Sequence, residues 1–149
     1  MARVCLVDAY SHALQRTTFG KQLIEHQAIK TKFSIIGAQI LPAYAFMESL
    51  VAYHGAGKGS EPRYGGLIAL LKVVAGQTLE KTVREAQQIM GGLGYSRTGK
   101  GARIEQISRD VRVMVVGGGS EEILNELAFV QEKRDLDSIE KEKLMFSKL

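Results

Sequence analysis

A chain of 149 residues that is 45% hydrophobic can bury one ordinary core, and its length is that of a single domain. Its net charge of +4 comes from 20 basic and 16 acidic residues spread along the sequence, which argues against nucleic-acid binding; the basic residues from Arg97 to Arg112 suit a solvated face or an anion-binding surface equally well. The apolar runs fall far short of a membrane span, no cleavable leader opens the sequence, and the single cysteine, Cys5, has no partner for an internal disulfide and reads as a core filler.

Val4, Val7 and Leu14, with alanines between them, follow helical spacing from the first residues onward. Nothing before residue 4 resembles a helix cap, so the chain is expected to begin inside a helix, which fits a piece of a longer protein and leaves a natural start open. That helix should end near Gly20, after Thr17-Thr18-Phe19. Ile29, Phe33, Ile36, Ile40, Tyr44, Met47, Val51 and His54 then mark a long amphipathic helix, which Pro42 should bend or deprive of one backbone bond. His54, on its apolar edge, reads as a packed side chain.

A glycine-rich connection, Gly55 to Gly59, separates this helix from a third, for which Ser60 reads as the cap and Glu61-Pro62 as the first turn. Leu67, Leu70, Leu71, Val74, Thr78, Val83, Ala86 and Ile89 carry the third helix to a break at Gly91-Gly92-Leu93-Gly94-Tyr95. A fourth helix is predicted from Ala102 to Val116, stopped by Gly117-Gly118-Gly119. Ser120 caps a fifth, with Glu121 and Glu122 facing its positive end. The tail from Glu132 to Leu149 is highly charged and is expected to be an exposed or frayed helix. No strand pattern stands out. The expected fold is all-α, an up-and-down four-helix bundle with a short additional C-terminal helix, with the bundle over residues 1–131 and the charged tail over 132–149.

Taken singly, the glycine breaks say little. No strand precedes Gly91-Gly92-Leu93-Gly94 as a dinucleotide fingerprint requires, the three histidines are scattered, and no serine sits in a nucleophile elbow. In order, however, Arg16-Thr17-Thr18-Phe19-Gly20-Lys21, His26-Gln27-Ala28-Ile29, Gln88 to Tyr95, Ile104 to Arg112 and Gly118-Gly119-Ser120-Glu121-Glu122-Ile123 make a chain that resembles the C-terminal domain of the flavin-dependent acyl-CoA dehydrogenases from about residue 2 to residue 131.

The resemblance implies FAD as cofactor. Arg16 and Phe19 match positions that reach the flavin dinucleotide of a neighbouring subunit, the arginine facing its pyrophosphate, for which a permanently charged fork of donors is suited. Gln27 matches a glutamine near the flavin, and Gln88 and Gly92 match positions that hold the adenylate end across the dimer. Gly119, Ser120 and Glu122 match flavin contacts in the last loop.

Many members of the family carry a glutamate in that loop, which removes the α proton of the thioester while the flavin takes the β hydrogen as hydride. Here the position is Gly118, which can accept no proton. The long-chain and isovaleryl branch also lacks this glutamate and supplies it from the preceding helix, at a position falling before residue 1. Glu121 and Glu122 are better explained as first-turn helix residues than as replacements.

The resemblance therefore implies the flavin-site and oligomerisation domain of an acyl-CoA dehydrogenase of fatty acid β-oxidation, inactive as this segment alone. Its implied partners are an acyl-CoA substrate, copies of itself in a dimer or tetramer, and an electron-transfer flavoprotein. A non-catalytic assembly module, or a related acyl-CoA or nitroalkane oxidase, remains as an alternative. Mitochondrial, peroxisomal and bacterial cytoplasmic locations are all compatible.

Overall fold

The computed structural model describes residues 1–146 and is all-helical apart from one small hairpin. Its elements in chain order are α1 (Ala2–Gln15), β1 (Thr17–Thr18), β2 (Lys21–Gln22), α2 (Gln27–Gly55), α3 (Pro62–Met90), α4 (Ala102–Val116) and α5 (Glu121–Phe146). Short 3-10 turns cover Leu23–Glu25, Lys58–Ser60, Gly91–Tyr95 and Gly99–Gly101.

Helix α3 is the hub, packed against each of the other four helices. On one side, Val83, Ala86, Ile89 and Met90 of α3 meet Cys5, Ala9 and Ala13 of α1 and Ile104 and Ile107 of α4 in the main core. The small side chains of α1 let it lie close to α3, and removing these apolar surfaces from water supplies most of the stabilisation. A second cluster joins Ala69 and Val73 of α3 to Leu124 and Ala128 of α5. Lys32 with Glu85 ties α2 to α3, Arg112 with Glu80 (2.8 Å) ties α4 to α3, and Arg63 with Glu132 (3.1 Å) ties α3 to α5. Cys5 is completely buried and burial pushes its thiol up to about 11, in keeping with a filler of the core.

Several boundaries differ from the sequence-based expectation. α1 stops at Gln15, five residues before Gly20, because Arg16 turns to extended backbone (φ −83°, ψ 126°). The residues between form an antiparallel hairpin with Thr17 opposite Gln22 and Thr18 opposite Lys21. Its two-residue link, Phe19-Gly20, has φ of +50° and +79°, the double left-handed turn whose twist matches that of paired strands. Two residues per strand are too few to give an alternation pattern, so only the adjacent threonines and the Phe-Gly pair signal it. The cap of α3 is Glu61 rather than Ser60, which lies in the preceding 3-10 turn.

α4 occupies the predicted span, and α2 continues through Pro42. The last helix is not short. α5 runs for 26 residues, unbroken across residue 131. The part of the tail over residues 147–149 lies outside the described residues. Although its uninterrupted apolar runs are short, α2 as a whole (29 residues, mean hydropathy 1.4 in its best window) is long and apolar enough to cross a membrane by length and composition. In the bundle it packs against α1 and α3, with Ile36, Ile40 and Leu50 buried and Leu41, Tyr44, Met47 and Val51 facing out.

Candidate functional site

Two clusters of the residues singled out by sequence lie at different places on α3. The first surrounds its C-terminal end. Arg16, at the end of α1, and Gly92, in the turn after α3, line one groove of about 530 Å³ together with His12, Thr18, Leu23, Ile89, Met90, Gly91 and Leu93. Gln88 lines an adjoining groove with Arg84, Gln87, Gly94 and Tyr95, and Gly91 belongs to both. Arg16 is exposed and enters none of the side-chain ion pairs among the described residues. A solvent-facing guanidinium beside a largely apolar floor is equipped to pair two oxygens of a phosphate.

The hairpin next to this groove holds Phe19. Its side chain is 97% exposed and its backbone sits at φ +50°, a conformation that disfavours residues with a Cβ. Both features oppose stability in the chain taken alone. The hairpin is fixed from below: Leu23 N–H donates to Arg16 O (2.7 Å), and His26 Nε2 lies 3.0 Å from Thr18 Oγ1 and 3.2 Å from Thr18 O. Gln27 opens α2 directly after His26 and is exposed. Thr18, Leu23 and His26 belong to the groove or hold its rim, yet none stood out by residue type; Thr18 and His26 carried a signal only as parts of the quoted motifs.

Neighbouring residues in the last turn of α3 and in the turn that follows have distinct duties. Gln87 is structural, its amide donating to Gly94 O (3.0 Å) and Ser108 Oγ (3.0 Å), whereas Gln88, one residue on, is exposed to the groove. Gly94 is demanded by packing, since a Cβ there would meet Gln87 O at 2.8 Å. At Gly92 a Cβ would find nothing within 4 Å, and φ is not in the left-handed region. The fold of this chain therefore does not require glycine at 92, so any demand for it comes from something approaching from outside.

The second cluster is the link between α4 and α5. Gly119, Ser120 and Glu122 are indeed together here, at the start of α5, but not with Arg16. Lys72 of α3 holds the link by donating from Nζ to Gly119 O (2.7 Å) and to Val115 O, one of the carbonyls left open at the end of α4. From Lys72 to Gln88 the axis of α3 advances about 24 Å, so the two clusters are separate contact regions. Gln77 donates to Glu121. The carboxylate of Glu122 is held below the ordinary range by its own backbone N–H and then by the Ser120 hydroxyl. Carboxylates engaged in this way are poor proton acceptors. Gly118 itself is at φ +78°, so a glutamate in this backbone conformation would be strained.

Removing the anchor tests the loop. Lys72→Met should leave two carbonyls without their cationic donor, lower stability by about 1–3 kcal/mol and speed amide exchange at residues 117–120. Unchanged exchange there would mean that the link holds its shape without Lys72.

Among the described residues no three His, Cys, Asp or Glu side chains are grouped as metal ligands are. Residues 1–129 match the family model described as "Acyl-CoA dehydrogenase, C-terminal domain". The chain is 54% identical over 141 residues to the acyl-CoA dehydrogenase AFT10-1 of Alternaria alternata, covering 92% of this chain and 33% of that protein. Among solved structures, a probable acyl-CoA dehydrogenase from Mycobacterium abscessus superposes with a TM-score of 0.79 at 32% identity, covering 87% of this chain and 33% of that one. The butyryl-CoA dehydrogenase of Megasphaera elsdenii gives 0.76 at 28% identity, covering 85% and 32%. The chain thus spans about a third of the length of the relatives it matches.

Proposed function

The chain belongs to the acyl-CoA dehydrogenase family, through the C-terminal domain that its residues 1–129 match, and from that premise we propose that it closes the flavin site and builds the oligomer of an FAD-dependent acyl-CoA dehydrogenase. The observation that carries this reading is Phe19. An aromatic side chain 97% exposed, on a strained left-handed residue, meeting the His26 ring edge-on at 6.2 Å and near an arginine without an ion pair among the described residues, gains most of its return by packing against a ligand or partner outside the chain. Burying a phenylalanine contributes about 1.5–3 kcal/mol, enough to outweigh the local strain.

The residues present fit FAD. Arg16 would pair with its pyrophosphate, Phe19 would cover it, Gln88 would hydrogen-bond the adenylate end, and Gly92 would let the backbone close upon it. Gln27, next to the His26 that holds the hairpin, would face flavin from the Arg16 side, and the cluster of Gly119, Ser120 and Glu122 would face flavin elsewhere. The distance along α3 between that cluster and the Arg16 groove suits two flavins of neighbouring subunits, each touching one region. When bound, the flavin supplies hydride acceptance from the β carbon of an acyl-CoA thioester. This chain's own part is to bind, orient and exclude water.

Proton removal from the α carbon falls to another segment. Gly118 offers no acceptor, Glu121 is engaged by Gln77, and Glu122 is held ionised by hydrogen bonds. We infer the arrangement of the long-chain and isovaleryl branch, with the base on the helix leading into α1, roughly two to three turns before Met1. By itself the chain then neither retains FAD tightly nor oxidises a thioester. The outward apolar faces of α1 and α2, including Val4, Val7, Leu41, Tyr44, Met47 and Val51, are suited to packing against further domains and further copies. An electron-transfer flavoprotein would be the electron acceptor.

Arg16→Ala in the full-length protein tests the reading. Loss of a charge-assisted, two-point contact should weaken FAD roughly 10- to 150-fold, leaving preparations flavin-poor while the oligomer persists in sedimentation. Full flavin content in the variant would remove the cofactor role from this groove and favour a pure assembly module.

A further inference from the structure

His12 is a groove residue that belongs neither to the two apolar clusters of the core nor to the hairpin. It lies on α1 one turn before Arg16, is only 8% exposed, and lines two grooves at once. One is the groove of Arg16 and Gly92. The other, of about 510 Å³, is bordered by Asp8, Ser11, Gln15, Gly99, Lys100 and Arg103. Its backbone carbonyl accepts from Arg16 N–H (2.9 Å), but among the described residues its ring nitrogens make no hydrogen bond. They are also not sealed away, since the buried atoms without partners are Gln39 Oε1 and Thr82 Oγ1. Nitrogens that open on a groove and meet no partner among the described residues need one from whatever fills the groove, because covering a polar group without a hydrogen bond costs free energy.

We propose that His12 is a further binding residue of the Arg16 groove, its ring N–H donating to a phosphate oxygen of the ligand that Arg16 holds. This rests on the reading of that groove as a pyrophosphate site. The charges around the ring favour an anion. Arg16 lines one of its grooves and Lys100 the other, and Lys100 donates to Gln15 Oε1 (2.5 Å). Asp8, the carboxylate that lines the second groove, is already committed to Arg103, which donates to it from Nε (2.8 Å) and from a second nitrogen. The wall from α3 and its following turn contributes Ile89, Met90, Gly91, Gly92 and Leu93 and no charge. In the free chain burial, followed by Arg16 and Lys100, holds the imidazole below its ordinary value, so it is neutral there.

A bound dianion would reverse this balance and raise the affinity of the ring for a proton. The bound state then holds more protons than the free one, so ligand affinity rises as pH falls through the range of the imidazole. The test uses the full-length protein stripped of flavin, with FAD as the probe and its fluorescence change as the readout. Wild-type affinity should rise between about pH 8 and about pH 6. His12→Phe should weaken binding roughly tenfold at the lower pH and remove the slope, and His12→Gln, which keeps a donor, should recover part of the affinity without the slope.

Calorimetry of the wild type in buffers of different ionisation heat checks the proton uptake without any variant. Net uptake supports the assignment, and none overturns it. If Arg16→Ala loses FAD while both His12 variants bind as the wild type does with the same pH slope, His12 is excluded and the groove stands. If neither residue matters, the groove itself is misassigned and the inference fails with it.

Discussion

Gly101→Ala is expected to be among the most damaging single substitutions in this chain, lowering stability by about 3 kcal/mol or more. A methyl group at this position would stand 1.8 Å from Leu93 O and 2.4 Å from its carbonyl carbon, with Gly94 N at 3.1 Å. These are backbone atoms, which cannot swing aside as a side-chain end does. Relief would need the 3-10 turn at Gly99–Gly101 to move off the turn at Gly91–Tyr95. That second turn is the floor shared by the Arg16 and Gln88 grooves, so, on the flavin role proposed for them, the loss should appear in the flavin content of the full-length protein as well as in melting. For a domain of this length each kcal/mol is about 2–4 °C, which predicts a fall in Tm of roughly 6–12 °C or more. A variant melting within a degree or two of the wild type would mean that the two turns are not in contact in solution.

Ile104→Ala should cost about 2–5 kcal/mol. Ile104 is completely buried where α4 meets α1 and α3, among Cys5, Ala9, Ala13, Val83, Ala86 and Ile89. Its neighbours on α1 are small and cannot grow inward to fill the space, so the cavity should persist and the loss fall toward the upper part of that range. Ile104→Val, which removes a single methylene, should cost about 0.5–1.5 kcal/mol. Chemical denaturation of the two variants gives the comparison. Equal small losses would show that the interface collapses around the cavity.

The long helices were legible in the sequence because their stabilising pattern is local. Apolar residues three and four apart and glycine breaks mark α2, α3 and α4 to within a few residues, with α4 at its predicted bounds. The motif from Arg16 to Phe19 and that from Gln88 to Gly92 were legible as a family resemblance, and the family model bears this out over residues 1–129. What the sequence could not convey was anything set by contacts distant along the chain. The hairpin at Thr17–Gln22 is too short for a pattern and is held by His26. α5 passes the point where its apolar signal fades, and Arg63 of α3 meets Glu132 beyond it.

For the candidate site, the sequence determined which residue types were available: an arginine, two glutamines, an aromatic ring and a loop without its carboxylate. Only the tertiary structure decided how they are grouped. It joined Arg16 to Gly92 across 76 positions of sequence, separated them from Gly119 by most of the length of α3, set Gln87 to structural duty beside an open Gln88, and brought in His12. The physical reason is that helical periodicity records which face is apolar, whereas a groove is made by the particular faces that meet, and that choice depends on packing between helices far apart in sequence.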